Sequence, residues 1–405
     1  MDPNGEQYPD AFSDSEEEKD DFTIRKTDSI IVAATAENDH SNLEVYIYEH
    51  EASNLYVHHE IILASYPLCL EWLPVWGGEK TNMMIVGTFI PEIEIWNLDS
   101  ENCEPVAVLG EYQDKDNQTF KKIKKQQKKT LNVKNPTHTH TDAVMCLSLN
   151  PFQREYLLSG SADKTIRVWD LDEMACKATY SSLHTDKVQA VRWNRQNEQL
   201  FVSGGFDGRL NIQDVRETVV AGQFTLNKAK YNDVEHIQWH PSMEHNLVVT
   251  TESGHMLGFD TRNFSKPIFE VKAHNKACSQ CSFSPHISNM LATVGTDEYC
   301  KIWDISTSEP KMVAKRNLKQ GELFSVQFYD DIAWVLAAGG SKGEVAIWDT
   351  EESEILEKHF KPFLSDKAPR EPNAVEDDGN ADFEDMDSSD EEVVKAQKKK
   401  KKDKK

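Results

Sequence analysis

The sequence predicts an all-β chain that closes into a seven-bladed β-propeller, with disordered charged N- and C-terminal tails. Three observations carry this prediction. A strand–turn–strand unit recurs along the chain, an apolar or aromatic residue keeps a fixed offset from most copies, and a His, Ser or Thr, Asp set recurs at fixed offsets in three of them.

The best-preserved unit is Ser159-Gly-Ser-Ala-Asp163-Lys-Thr-Ile-Arg-Val-Trp169-Asp170, two strands joined by a tight turn at Ala162 to Lys164. With Trp169 as marker, equivalent strand ends fall at Tyr48, Trp96, Gln213, Phe259, Trp303 and Trp348. The steps are 48, 73, 44, 46, 44 and 45 residues, and the long step holds an insertion. That period is the spacing of WD repeats, four strands to a blade. Leu149, Trp193, Trp239, Phe283 and Phe328 each lie 20 residues before their marker, so both ends of the unit are packed alike.

A third phase carries hydrogen-bond chemistry. His140, His184 and His274 lie 29 residues before their markers, Ser159, Ser203 and Thr293 lie 10 before, and Asp163, Asp207 and Asp297 lie 6 before. Together with Trp169 and Trp303 they predict buried tetrads in which every polar group is paired. Blades 3 and 6 hold all four members, and blade 4 has Gln213 in place of the tryptophan. A nucleophilic triad needs one special exposed copy, whereas a structural network needs one per blade. Three copies at the same offsets therefore read as structure, with no catalytic residue, no cofactor and no metal.

Taken in order, residues 1–21 form an acidic leader with nine acids against Lys19, too poor in apolar residues to fold alone. The propeller is expected over 22–365. Phe22–Lys26, Ser29–Ala36, Leu43–Glu49 and Asn54–Ile62 make the first blade, and Pro67–Leu73, Met83–Thr88, Glu92–Leu98 and Pro105–Glu111 the second, with Trp76-Gly77-Gly78 extending its first turn. Residues 113–137 interrupt the period as a lysine-rich insertion, and blades 3 to 7 follow from Ala143 to Thr350. The last outer strand is either Glu354–Phe360 or a segment from the N-terminal region, since closure removes exposed sheet edges. Residues 366–405 turn acidic and then lysine-rich, the composition of a disordered interaction tail.

The formal charge of -24 is unevenly spread: the leader carries -8, the insertion +6 and the tail -3, which leaves the blades near -19. Such a body does not grip nucleic acid phosphates over a broad face. The candidate RNA contacts are instead Lys121, Lys122, Lys124, Lys125, Lys128 and Lys129 of the insertion and Lys398, Lys399, Lys400, Lys401 and Lys402 of the tail. Ser13, Ser15, Ser388 and Ser389 each precede an acid by three residues and are candidate sites for an acid-directed kinase. Seven scattered cysteines, an acidic start and no apolar run of about 18 residues read as a soluble, intracellular, reduced chain without a membrane segment.

Other motifs weigh little. Cys278-Ser-Gln-Cys281 has half a zinc-site spacing but occupies a strand position, and no second pair accompanies it. Gly339-Gly-Ser341-Lys-Gly343 matches a nucleophile-elbow pattern yet falls on a strand–strand turn rather than between a strand and a helix. A hydrolase acting through Ser341 is accordingly the most distant reading, and no small-molecule substrate is expected.

With these repeats in place the chain resembles the WD-repeat family over about residues 22–365 and, within it, the periodic tryptophan branch. The resemblance rests on Asn42-Leu-Glu-Val-Tyr-Ile-Tyr48, Tyr56-Val-His-His-Glu-Ile61, Ser65-Tyr-Pro-Leu68 with Glu71-Trp-Leu73, His184-Thr-Asp-Lys-Val-Gln189, and Lys266-Pro-Ile-Phe269 with Ala273-His-Asn275. It implies a nuclear and nucleolar scaffold in ribosome biogenesis, partnered by ribosome assembly factors and large-subunit (pre-60S) precursors; the lysine blocks, by their charge, would add a weak pre-rRNA contact. The alternative it leaves open is a chromatin-associated propeller that binds histone tails and regulates rRNA transcription, for which the acidic blades suit a basic peptide.

Overall fold

Alternating apolar residues in short runs, closed by tight turns, give antiparallel strands that bury one set of side chains between neighbouring sheets. The computed structural model describes residues 29–37, 40–50, 52–99, 104–110, 139–217 and 219–365. The described strands form seven antiparallel sheets, five of four strands and two of three. They are the seven blades of a WD-repeat propeller. Blade 2 runs through Pro67–Trp76, Glu79–Thr88, Ile93–Asn97 and Ala107–Leu109, and blade 3 through Val144–Leu149, Tyr156–Ser161, Ile166–Asp170 and Ala175–Tyr180. Blades 4, 5 and 6 repeat this order from Val188, Val234 and Cys278.

The first strands of blades 2 to 7 line the ring axis, those of blades 2 to 6 each against the first strand of the next blade. Between blades lie seven apolar clusters, one per junction. Leu73, Ile85 and Ile95 of blade 2 meet Val144, Leu157 and Trp169 of blade 3, for example, and Val248 and Met256 of blade 5 meet Phe283 and Trp303 of blade 6. The seventh joins Tyr48 of blade 1 to Ile332 and Val335 of blade 7 and so closes the circle. Trp169, Phe201, Phe259 and Phe328 are almost fully buried at these junctions. Each such side chain stabilises the ring by about 2–3 kcal/mol.

The turn between second and third strands has one left-handed residue, five before the marker: Lys164, Gly208, Gly254, Glu298 and Gly343, with φ between 71° and 80°. A glycine adopts that conformation freely, whereas lysine and glutamate do so under strain. At the start of each first strand in blades 2 to 7 the pairing register shifts by one residue. This bulge leaves the second residue of the strand, such as Glu235 or Phe324, out of the regular pairing.

Blades 1 and 7 differ from the expectation. Blade 1 shows Ser29–Glu37, His40–Glu49 and Asn54–Leu63, which by the marker Tyr48 are its second, third and fourth strands, and the expected Phe22–Lys26 lies outside the described residues. In blade 7, Leu323–Phe328, Val335–Gly340 and Val345–Asp349 form the sheet. Glu354–Phe360 is not an outer strand but an α-helix (α1), followed by a 3-10 turn at Lys361–Phe363. Leu356 and Phe360, one turn apart, bury completely in the junction between blades 6 and 7, and this gain outweighs completion of the sheet. The first two strands of blade 2 are also longer than expected, with the turn confined to Gly77 and Gly78.

Candidate interaction surface

The tetrads come together as continuous hydrogen-bond chains. In blade 3 the Trp169 indole N–H donates to Ser159 Oγ at 2.8 Å, the Ser159 hydroxyl donates to His140 Nε2 at 2.7 Å, and His140 Nδ1–H donates to Asp163 Oδ2 at 2.9 Å. Asp163 also accepts from the backbone N–H of Thr141 and Thr165, at 3.0 and 2.9 Å, which ties the turn to the loop entering the blade. Blade 6 repeats the chain through Trp303, Thr293, His274 and Asp297, at 2.9, 2.9 and 2.7 Å. Gly205 and Gly295 stand where a Cβ would run into the tetrad histidines, so the turn approaches His184 and His274 closely.

Blade 4 keeps the histidine, serine and aspartate contacts without the tryptophan. His184 lies 2.8 Å from Ser203 Oγ and 3.1 Å from Asp207, but Gln213 turns away to the carbonyls of Asp214 and Glu217. Asn211 Nδ2 donates to Leu183 O at 3.0 Å and lies 3.2 Å from His184 Nε2, just as Lys301, at the same position of blade 6, donates to Ala273 O at 2.6 Å. Asn211 was not among the predicted set; its own partner Gln223 and its position two residues before the marker are the signals that identify it.

Burial pushes the His140 and His274 pKa values down, against the pull of their aspartates, and both rings are neutral at neutral pH. Burial works against ionisation of the aspartates too, yet the histidine and backbone donors prevail. They hold Asp163 and Asp297 well below the usual carboxylate range and Asp207 at about 2. Ser159, Ser203 and Thr293 are wholly buried, so these groups hold the blades together and present no nucleophile to a substrate.

Near the axis a second polar network links blades. Glu71 Oε1 accepts from Leu149 N at 2.9 Å, Ser148 Oγ from Trp193 N at 3.1 Å, and Ser282 Oγ from Phe328 N at 3.1 Å. Arg192 donates to Leu147 O at 2.6 Å, and its other terminal nitrogen lies 3.1 Å from His236 Nε2. His236 Nδ1 lies 3.6 Å from Cys281 Sγ. Burial and the Arg192 charge keep His236 neutral, so Nε2 accepts from the arginine and Nδ1–H faces the thiol. Beside it, desolvation and the charges of Glu252 and Asp233 push the Glu235 carboxyl up to about 7.

Exposed chemistry lies at the edges of the ring. Tyr66 and Phe89, half exposed, stack edge to face at 5.5 Å beside exposed Ile90, where the loop entering blade 2 meets its second turn. Aromatic pairs of this kind anchor protein contacts. Cys278 and Cys281 are buried strand residues, and Ser341 sits on the exposed turn of blade 7, its hydroxyl accepting from Glu322 N at 3.1 Å. Among the described residues no group of three or more His, Cys, Asp or Glu is placed to hold a metal ion, and no helix is long and apolar enough to cross a membrane. The candidate RNA lysines at 121–129 and 398–402, and Ser13, Ser15, Ser388 and Ser389, lie outside the described residues.

The family described as "WD domain, G-beta repeat" matches residues 130–170 and 265–304. A WD repeat-containing protein of Schizosaccharomyces pombe is 36% identical over 384 residues, spanning 92% of this chain and 72% of that protein. Periodic tryptophan protein 1 of Saccharomyces cerevisiae is 31% identical over 405 residues, spanning 88% of this chain and 69% of its own length. A chain in the crystal structure of the mitotic checkpoint complex superposes with a TM-score of 0.59 at 18% identity, covering 78% of this chain and 86% of that one. This last likeness concerns the fold alone.

Proposed function

The chain belongs to the periodic tryptophan protein 1 family of WD-repeat proteins, and from that premise we propose that it is a non-catalytic platform for assembling large-subunit ribosomal precursors in the nucleolus. The observation that carries the platform reading is the fate of its polar triads. All three sets of His, Ser or Thr and Asp are consumed inside the blades, which leaves rims, turns and the exposed Tyr66–Phe89 pair as the surfaces that meet other molecules. The ribosomal assignment draws on the resemblance of the sequence and on its two lysine blocks. Lysines at 121–129 and 398–402 gain affinity for pre-rRNA by displacing condensed counterions, a weak and salt-sensitive contact. Assembly factors dock on the ring, and an acid-directed kinase adjusts the charge of the leader and tail at Ser13, Ser15, Ser388 and Ser389.

Affinity purification from nuclear extract at physiological salt, with and without nuclease, tests this reading. Recovery of large-subunit precursors and assembly factors is expected, with a protein subset that survives nuclease. Failure to recover either class sinks it. A second reading, a propeller that binds histone tails and regulates rRNA transcription, is favoured by Glu235, Asp233 and Glu252 grouped where the chain enters blade 5 of an acidic body. Histone-peptide binding lost on neutralising these residues, without RNA or precursor association, would replace the first reading with the second.

A further inference from the structure

In the six other blades the third strand is covered by an outer strand, and this shows in burial. Three residues before the marker, Val45, Ile93, Ile166, Leu210, Met256 and Cys300 are at most 1% exposed. Val345, at the same place in blade 7, is only half-buried, and so is Ile347 two residues on. The carbonyl one residue before the marker faces outward and accepts from the outer segment: Ile95 O from Val106 N at 2.8 Å, Ile212 O from Ala221 N at 2.9 Å, Gly258 O from Ile268 N at 2.7 Å. Its equivalent in blade 7 is Ile347 O. The opposite edge is occupied, since Ala346 and Trp348 pair with Ala338 and Leu336 and Thr350 N donates to Trp334 O at 3.0 Å. The N–H and C=O groups of Val345, Ile347 and Asp349 therefore point away from the sheet, and among the described residues no strand pairs with them.

The chain that follows is committed elsewhere. Helix α1 packs Leu356 and Phe360 into the junction between blades 6 and 7, His359 Nε2 binds Asp304 Oδ2 at 2.8 Å, and Ser365 N donates to His286 O at 2.9 Å. The open edge is flanked by exposed Glu344, Glu351 and Glu352. Glu344 also acts on the Tyr46 hydroxyl together with Glu44 and Glu60 of blade 1, so the neighbouring rim is acidic as well.

We propose that the outer edge of blade 7 is a docking site for a β-strand contributed by another protein, antiparallel to Val345–Asp349, with lysine or arginine on the side that meets Glu344, Glu351 and Glu352. A free edge offers a row of backbone donors and acceptors that an extended segment completes, and pockets at alternate positions give selectivity. The flanking charge chooses the occupant: among the described residues Glu344, Glu351 and Glu352 outnumber the one exposed cation at this edge, Lys342, and so attract an extended segment that carries lysine or arginine. The proposal rests on the platform reading and names one of its contact sites.

The test uses the purified full chain and a short fluorescein-labelled peptide of alternating valine and lysine, with a control in which two central valines are proline. Saturable binding about ten-fold tighter than the control is expected, together with slower amide exchange over 344–350 in the complex. Val345→Pro removes one outward N–H at a strand start, where proline is tolerated, and should weaken binding about ten-fold. Glu344→Lys with Glu352→Lys leaves the backbone intact and should weaken the lysine peptide while strengthening a valine–glutamate one. Equal binding of peptide and control overturns the proposal, as do variants that change nothing. Protection of 345–349 in the unliganded chain would also overturn it, by showing that the chain covers its own edge. Lost peptide binding with precursors still recovered removes this site alone; intact peptide binding with no precursors removes the ribosomal reading alone.

Discussion

Trp169 Nε1 lies 2.8 Å from Ser159 Oγ, and that single bond joins the marker of the repeat to its polar network. The serine relays it: one hydroxyl accepts from the indole and donates to His140. Ser159→Ala leaves an indole N–H and an imidazole nitrogen buried without partners, a loss of about 2–4 kcal/mol. Trp169→Ala and Asp163→Ala act through stability in the same way. Urea unfolding of the variants should show the loss while the set of co-purifying partners stays the same below the melting transition. Normal stability with one partner missing would overturn the structural role.

Acid should unfold the chain in two stages. His140 and His274 have folded pKa values below the ordinary value, so below about pH 6.5 protons bind the unfolded chain first and stability falls. Asp163, Asp207 and Asp297 are depressed, so the stability they supply is complete above about pH 4 and disappears as pH drops through their folded values. Thermal melts from pH 8 to pH 3 should decline from near pH 6.5 and steepen below pH 4. A flat profile down to pH 4 would contradict the neutral, buried histidines.

The left-handed turn position gives a prediction of opposite sign. Lys164 has φ 71° and Glu298 φ 72°, where blades 4, 5 and 7 carry glycine. Lys164→Gly relieves that strain and should stabilise by about 0.5–1 kcal/mol, because the left-handed cost exceeds the extra entropy of glycine. Gly254→Ala should destabilise by more than 2 kcal/mol on the same reasoning (~2–4), since its Cβ would also strike the carbonyls of Lys276 and His274. Denaturation midpoints of the two variants should move in opposite directions.

Why part of this was legible in the sequence and part was not follows from what repeats. His140, His184 and His274 are identifiable because a fixed offset places each beside its Ser or Thr and Asp in every copy. The blade ends Trp193, Trp239 and Phe283 are legible for the same reason. Glu354–Phe360 was not, because it ends the repeat: the need to close a sheet suggested a strand, while Leu356 and Phe360 at i and i+4 already had helical spacing. Glu354 and Glu357 early in the segment and Lys358 and His359 late in it suit a helix dipole and point the same way. The axial network was missed because its members are separated by about one repeat. Its signal is nonetheless present in part, as Ser148, Arg192 and Ser282 all lie 21 residues before their markers.

Arg192 offers the sharpest test of that axial network. It donates to Leu147 O of blade 3 and to His236 of blade 5, and its charge reaches Glu71 of blade 2. Arg192→Met keeps the apolar stem but leaves a carbonyl and an imidazole nitrogen without their donor, a loss of about 1–3 kcal/mol. The size should depend on pH. Desolvation raises the Glu71 carboxyl pKa and the arginine pulls it down, so removing the charge raises it further and enlarges the penalty at high pH. Burial and the same charge lower His236, so removing the charge moves it up and eases the penalty at low pH. Both terms have one sign: the variant should be more destabilised at pH 8 than at pH 5. Parallel stability curves for parent and Arg192→Met would show that the guanidinium acts by packing alone, and a larger deficit at pH 5 would place its charge away from both groups.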